Sequence, residues 1–272
     1  MAELSGASRP PPDARRPRTD AVMTRRLERA AGRNLRDYVM ATRRLFPELQ
    51  ADFIEAAGGV AAFTGRGSPL TTVKGAGPHI SPPELQQIES FFDDHEEPVV
   101  TLELAPWMDE ETARLLDARG YQMLDQEDVV VATSLPRSTS LTASERFPAD
   151  EWPGFLRISS ELADESPINE IMVASAHLTD VKLFGLSIDG RWVACAQSVR
   201  YGDVVIFGND ATLPEARRRG AQTNLIEARL NALTAGTMGV AEVARGSGSE
   251  RNYLRCGFKV AYTRTQYARR SG

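Results

Sequence analysis

The feature that most constrains this chain is a strand, a basic turn and a helix in immediate succession. Val204, Val205, Ile206 and Phe207 form a mostly β-branched apolar run, the composition of a buried strand. From Leu225 onward, Leu225, Ile226, Ala228, Leu230 and Leu233 recur at helical spacing. Between them lie Arg217, Arg218, Arg219, Gly220, Ala221, Gln222 and Thr223. The first amides of a helix have no partner inside it, and the helix dipole makes that end partly positive, so such a turn is suited to phosphate. The arginines add charge, and Gly220 lets the backbone come close to a ligand.

Composition narrows the partners. The net charge of −5 over 272 residues argues against nucleic acid or an anionic membrane as the partner of the whole molecule. Cys195 and Cys256 are the only cysteines, and His79, His95 and His177 are scattered. Neither a disulfide framework nor a metal site is expected, and the pattern suits a reducing cytoplasm. No apolar run reaches the roughly 18 residues of a membrane span. Residues 1–19, rich in Pro and Arg, are expected to be a disordered basic tail.

Read in order, the chain predicts a helix over 20–44 capped by Asp20, then short strands at 51–56, 60–64 and 70–74. A helix starting at Ser81 and running to about 93, a strand at 98–104, a helix at 109–119 and a long strand or hairpin at 121–134 follow. After a link at 135–140 come a strand at 141–147, helices at 149–162 and 167–176, and strands at 181–189, 191–200 and 203–212. A helix at 220–235, a strand at 238–244, a helix at 249–256 and a strand at 258–267 complete the chain.

Arg217-x-x-Gly220 resembles the acetyl-CoA loop of the GNAT acetyltransferase superfamily, although Gln222 stands where that pattern has Gly or Ala. Tyr253-x-x-x-Gly257-Phe258 is similar to the GNAT helix whose Tyr faces the cofactor sulfur. The order of elements from 139 on also resembles that fold. Leu115 to Tyr121 ends in Gly and an aromatic residue as Tyr253 to Phe258 does, a weak internal repeat. The expected fold is therefore α/β (α+β): a mixed, mostly antiparallel GNAT-type sheet flanked by helices in two tandem lobes. The lobes are a degenerate one at 20–135 and an acetyl-CoA-binding one at 139–272. In the first, the stretch from Gly75 to Glu84 has no arginine, and Pro82 and Pro83 have no amide for a phosphate.

The resemblance implies an acetyl-CoA-dependent N-acetyltransferase acting on a small-molecule amine by direct transfer. A non-catalytic CoA-binding protein is the alternative. It implies that the backbone of Ala211, Thr212 and Leu213 pairs with pantetheine where two parallel strands part. It also implies that Tyr253 protonates the leaving thiolate. Ser249, Arg251 and Asn252 are further candidates for holding pantetheine or phosphates. Glu242 lies among Val240, Ala241, Val243 and Ala244, where burial would raise its pKa toward that of a useful base. Asp210 is the second candidate base. Trp152, Phe155 and Glu165 are candidates for the acceptor pocket, and a homodimer is left open.

Overall fold

The computed structural model describes residues 20–133, 144–160 and 167–270. The expected tail, the 135–140 link and Glu165 lie outside them. The elements are α1 (Ala21–Leu45), β1 (Asp52–Ala56), β2 (Gly59–Phe63), β3 (Thr72–Lys74), α2 (Pro82–Asp94), β4 (Val99–Leu104), α3 (Glu110–Ala118) and β5 (Gln122–Thr133). They continue with β6 (Ser144–Arg146), α4 (Trp152–Ser160), α5 (Ile168–Ser175), β7 (Val181–Ile188), β8 (Arg191–Tyr201) and β9 (Val204–Thr212). The last are α6 (Ala221–Asn231), β10 (Met238–Ala244), α7 (Gly248–Arg255) and β11 (Lys259–Arg270). Of the stretch expected as a long strand or hairpin, Gln122–Thr133 is one strand, and the expected strand at 70–74 is reduced to three residues.

All the strands form one sheet in the order β1-β2-β3-β4-β11-β5-β10-β9-β8-β7-β6. Its pairings are antiparallel except β3 with β4 and β9 with β10. The centre is interleaved: β5, from the first half of the chain, lies between β10 and β11 of the second. In turn β11 pairs with β4 of the first half, from Thr265 opposite Leu104 to Arg270 opposite Val99.

Side-chain alternation along the strands divides the helices between two faces. On one face α2 packs Leu85, Ile88 and Phe92 onto Val73, Val100 and Leu102. There α6 and α7 pack Ile226, Leu230, Tyr253 and Cys256 onto Val130, Phe207, Ala241 and Val243. On the other face α1 lays Leu27 and Ala30 against Val129, Val204 and Val240. Further along, its Leu35 and Val39 meet Val60 and Ala62. The helix thus spans both halves of the sheet. Alternate strand residues on this face are charged near the centre: Lys74, Glu103, Glu127, Glu242 and Arg264.

The two halves end their last helices in the same way. Tyr121 N–H donates to Leu116 O and Gly120 N–H to Asp117 O; Phe258 N–H donates to Tyr253 O and Gly257 N–H to Leu254 O. Both are Schellman closures, with Gly120 and Gly257 in the left-handed region that such a cap requires.

Candidate active site

Strands β9 and β10 run parallel from Met238 opposite Val204 to Ala241 opposite Phe207 and then separate. Beyond Phe207, β9 keeps its partner β8, with an extra residue between Gly208 and Ala211. Asn209, in the left-handed region at φ 49°, lies in this bulge. The far edge of β9 is therefore open from Gly208 on. Leu213 N–H donates to Val193 O at 3.0 Å, on the paired side. By strand alternation the amide of Thr212 points the other way, into the opening.

The opening leads into a groove of about 760 Å³ between the end of β9, the start of α6 and the start of α7. Its wall includes Ala211, Thr212, Arg217, Arg218, Gly220, Ala221, Gln222, Thr223, Ser249 and Asn252. Gly220 has φ 80°, and Asn224 is the first amide bonded back to it, at 3.0 Å. The three preceding amides are left to the groove, which suits the N-terminus to an anion. Gln222 donates to Ser249 Oγ at 2.9 Å and accepts from Asn252 Nδ2 at 2.6 Å, so it braces α6 against α7.

A second cavity, about 330 Å³, adjoins the first; Asp210, Ala211 and Ser249 belong to both walls. Leu156, Met172 and Phe207 form its apolar side, and Asn209, Glu242 and Tyr253 its polar side. The Tyr253 hydroxyl, on a ring only 1% exposed, donates to Asp210 Oδ2. The other oxygen of Asp210 takes the guanidinium of Arg229, which is as deeply buried. Arg229 is itself fixed by the carbonyls of Leu225 and Gln197, each at 3.1 Å. Burial above all pushes the Tyr253 hydroxyl well above its ordinary pKa, so it keeps its proton at rest.

Glu242 has different neighbours from those its sequence suggests. It pairs with Lys74 of β3 at 2.7 Å and with Arg264 of β11 at 2.6 Å. Burial alone would raise its pKa, but these two cations more than reverse that and hold the carboxyl below its ordinary value. The expected rise is thus corrected: Glu242 stays ionised and is a weak proton acceptor. Lys74 also pairs with Glu103 at 2.9 Å, and Arg264 with Glu28 of α1 at 2.9 Å.

No protein-family model matches the sequence, and no curated protein matches it. Solved structures do. A GCN5-related N-acetyltransferase from Kribbella flavida aligns over 90% of this chain and 97% of its own, with a TM-score of 0.62 at 17% identity. One from Sphaerobacter thermophilus covers 82% and 77%, with a TM-score of 0.56 at 13% identity. A tandem GNAT protein from the clavulanic acid biosynthesis pathway covers 87% and 88%, with a TM-score of 0.53 at 12% identity. The chain has the GNAT fold. Its sheet is mixed and mostly antiparallel and is flanked by helices, as expected.

Within this GNAT fold the basic loop, the parted strands and Tyr253 converge on one groove and its side cavity. Four expected contacts need correction. Leu213 is 6% exposed and spends its amide on Val193, so it is part of the core. Arg219 is exposed and off the groove wall, because the turn directs Arg217 and Arg218 inward. Arg217 does line the groove, but its guanidinium is bonded to the carbonyls of Thr212 and Ser159, so it ties the loop to α4. Trp152 is fully buried and bonds Ser175 Oγ at 2.8 Å; Leu156 and Met172 line the cavity in its place. Residue reading missed Arg229 and Arg255, which lies on the groove wall. Arg229 carried a usable signal: a charged residue at a core position, four residues after Leu225.

The equivalent end in the first half is closed. Ser81 N–H donates to Glu84 Oε2 at 2.9 Å, so a carboxylate already occupies the start of α2. A Cβ on Gly75 would lie 2.7 Å from Glu28 O, showing how tightly α1 covers the end of β3. Among the described residues no helix is long and apolar enough to cross a membrane.

Proposed function

We propose that the protein is an acetyl-CoA-dependent N-acetyltransferase that transfers the acetyl group directly to a small-molecule amine. The observation that carries this reading is the joining of two spaces at the point where β9 leaves β10. One is a groove with free helix amides and arginines; the other is a smaller cavity holding Asp210 and Tyr253. The groove suits a nucleotide pyrophosphate, with the α6 amides, Arg218 and Arg251 as partners. Ala211 and Thr212 offer an open strand edge to pantetheine.

Bound acetyl-CoA supplies an acyl thioester. The remaining chemistry belongs to the chain. An amine that arrives protonated first sheds one proton to solvent; the neutral amine then loses a second as it attacks, and the departing sulfur must gain one. Asp210 accepts the proton of the amine, and Tyr253 gives its hydroxyl proton to the sulfur. The hydrogen bond between them then returns the proton from Asp210 to Tyr253, leaving both groups as they began. Arg229 acts through Asp210 as a positioning residue. Cys195 is 0% exposed, and burial raises its thiol pKa, which speaks against an acyl-cysteine route.

The test measures acetyl-CoA binding by calorimetry and thiol release with a panel of amines, in wild type and Gly220→Asp. Wild type is expected to bind and turn over. Gly220→Asp sets a carboxylate against the pyrophosphate and is expected to weaken binding more than tenfold, on the order of one misplaced charge. An unchanged dissociation constant removes the cofactor assignment. Binding without turnover across the panel favours a CoA-binding protein.

A further inference from the structure

The sheet face under α1 gathers an unusual set of charges behind the acceptor cavity. Glu242 is on the cavity wall, one residue past the last parallel pair, Ala241 opposite Phe207. Glu103 stands in the same relation to its own pair, Val73 opposite Leu102. The interleaved strands bring these two equivalent residues together. A carboxylate oxygen of each, and one of Glu127 on β5, lie within 4.8 Å of one another. Glu28 adds a fourth carboxylate through Arg264. Among the described residues, Lys74 and Arg264 are the cations that pair with them.

Lys74 shows what this arrangement takes: an ammonium held between Glu103 and Glu242. Even so the carboxylates outnumber the cations. Among the described residues the Glu127 side chain makes no hydrogen bond or close ion pair; burial, then Glu242, raises its pKa, with Lys74 and Arg264 opposing the rise only in part. The cavity wall itself carries Asp210 and Glu242 but no cationic side chain. Its other lining, Leu156, Met172 and Phe207, is apolar.

We infer that the acceptor is a cationic amine with a short apolar body and no carboxylate, selected by the negative field that Glu103 and Glu127 add behind Glu242. The inference rests on the transferase reading above. It gives the first half of the chain a part in specificity: β4 and β5 supply carboxylates to a cavity whose walls come from the second half. A carboxylate on the acceptor would enter a space whose carboxylates outnumber their paired cations, where like charges repel.

The experiment uses the full chain and acetyl-CoA with matched acceptors: straight-chain primary amines and their ω-carboxylate counterparts, such as butylamine and 4-aminobutanoate. The plain amines are expected to have kcat/KM about tenfold higher or more, a modest return for one adverse charge nearby. Glu127→Gln is expected to shrink that preference several-fold through KM, with kcat and acetyl-CoA affinity kept and the thermal midpoint unchanged or raised. Equal or better use of the carboxylate acceptors overturns the inference, as does a preference untouched by Glu127→Gln or no turnover of either series with acetyl-CoA bound. Failure of wild type to bind acetyl-CoA, read separately by calorimetry, overturns the transferase reading as well.

Discussion

Replacing Asp210 by Asn keeps the size of the side chain and removes its charge, so Arg229 and Tyr253 retain a neighbour but lose the proton acceptor between them. The variant is expected to bind acetyl-CoA as wild type does and to lose on the order of 10²–10⁴-fold in kcat, the range for removing a general base. An unchanged kcat removes Asp210 from that role. Glu242 tests the opposite expectation. Its pKa lies below 4.5, because Arg264 and Lys74 outweigh the effect of burial. Its ionisation therefore contributes stability that is complete above the unfolded value and is lost as the pH falls through the lower folded one. At pH 7, Glu242→Gln is expected to cost about 3 kcal/mol in urea denaturation, since it leaves two cations short of a partner. The gap from wild type should narrow only below pH 4.5. A gap that stays constant down to the acid transition would show that these pairs contribute nothing.

At the level of elements, the turn before α6 was legible because its physics is local. A left-handed Gly220, unpaired amides and nearby arginines follow from a few adjacent residues. The ends of α3 and α7 were legible for the same reason, with Gly120 and Gly257 marking the caps. Glu242 was not: the cations that hold it stand 168 and 22 positions away in sequence, on strands whose pairing no local pattern reveals. Gln222 departs from the small residue that the loop pattern wants, and the reason lies in another element. Its amide joins Ser249 and Asn252 across the groove, a contact that Gly or Ala would lack. Gln222→Ala is expected to lower stability by about 1–2 kcal/mol, the worth of two partly buried hydrogen bonds. It should also weaken acetyl-CoA binding several-fold as α7 loosens. Tighter binding in calorimetry would instead mean that the Gln222 side chain crowds the pyrophosphate.

The whole molecule is set by how its centre is shared. β10 and β11 are adjacent in the chain's second half, yet β5 separates them and pairs with both. β11 takes its other neighbour, β4, from the first half as well. A fragment of residues 139–272 would therefore expose one edge of β10 and both edges of β11, and would lose the cover of α1 over Val204 and Val240. Unpaired strand edges and an uncovered apolar face favour aggregation over a native sheet. The fragment is expected to show no cooperative unfolding in denaturant and to bind no acetyl-CoA. Mixing it with 1–138 should restore both, because the missing strands then return. The intact chain is expected to unfold in one step. Trp107 reports from the first half and Trp152 and Trp192 from the second, so single-tryptophan variants can follow each. Coincident fluorescence and far-UV circular dichroism midpoints are expected. Two separated transitions, or a 139–272 fragment that folds cooperatively by itself, would show that the halves are independent units and that the shared strands contribute little to either.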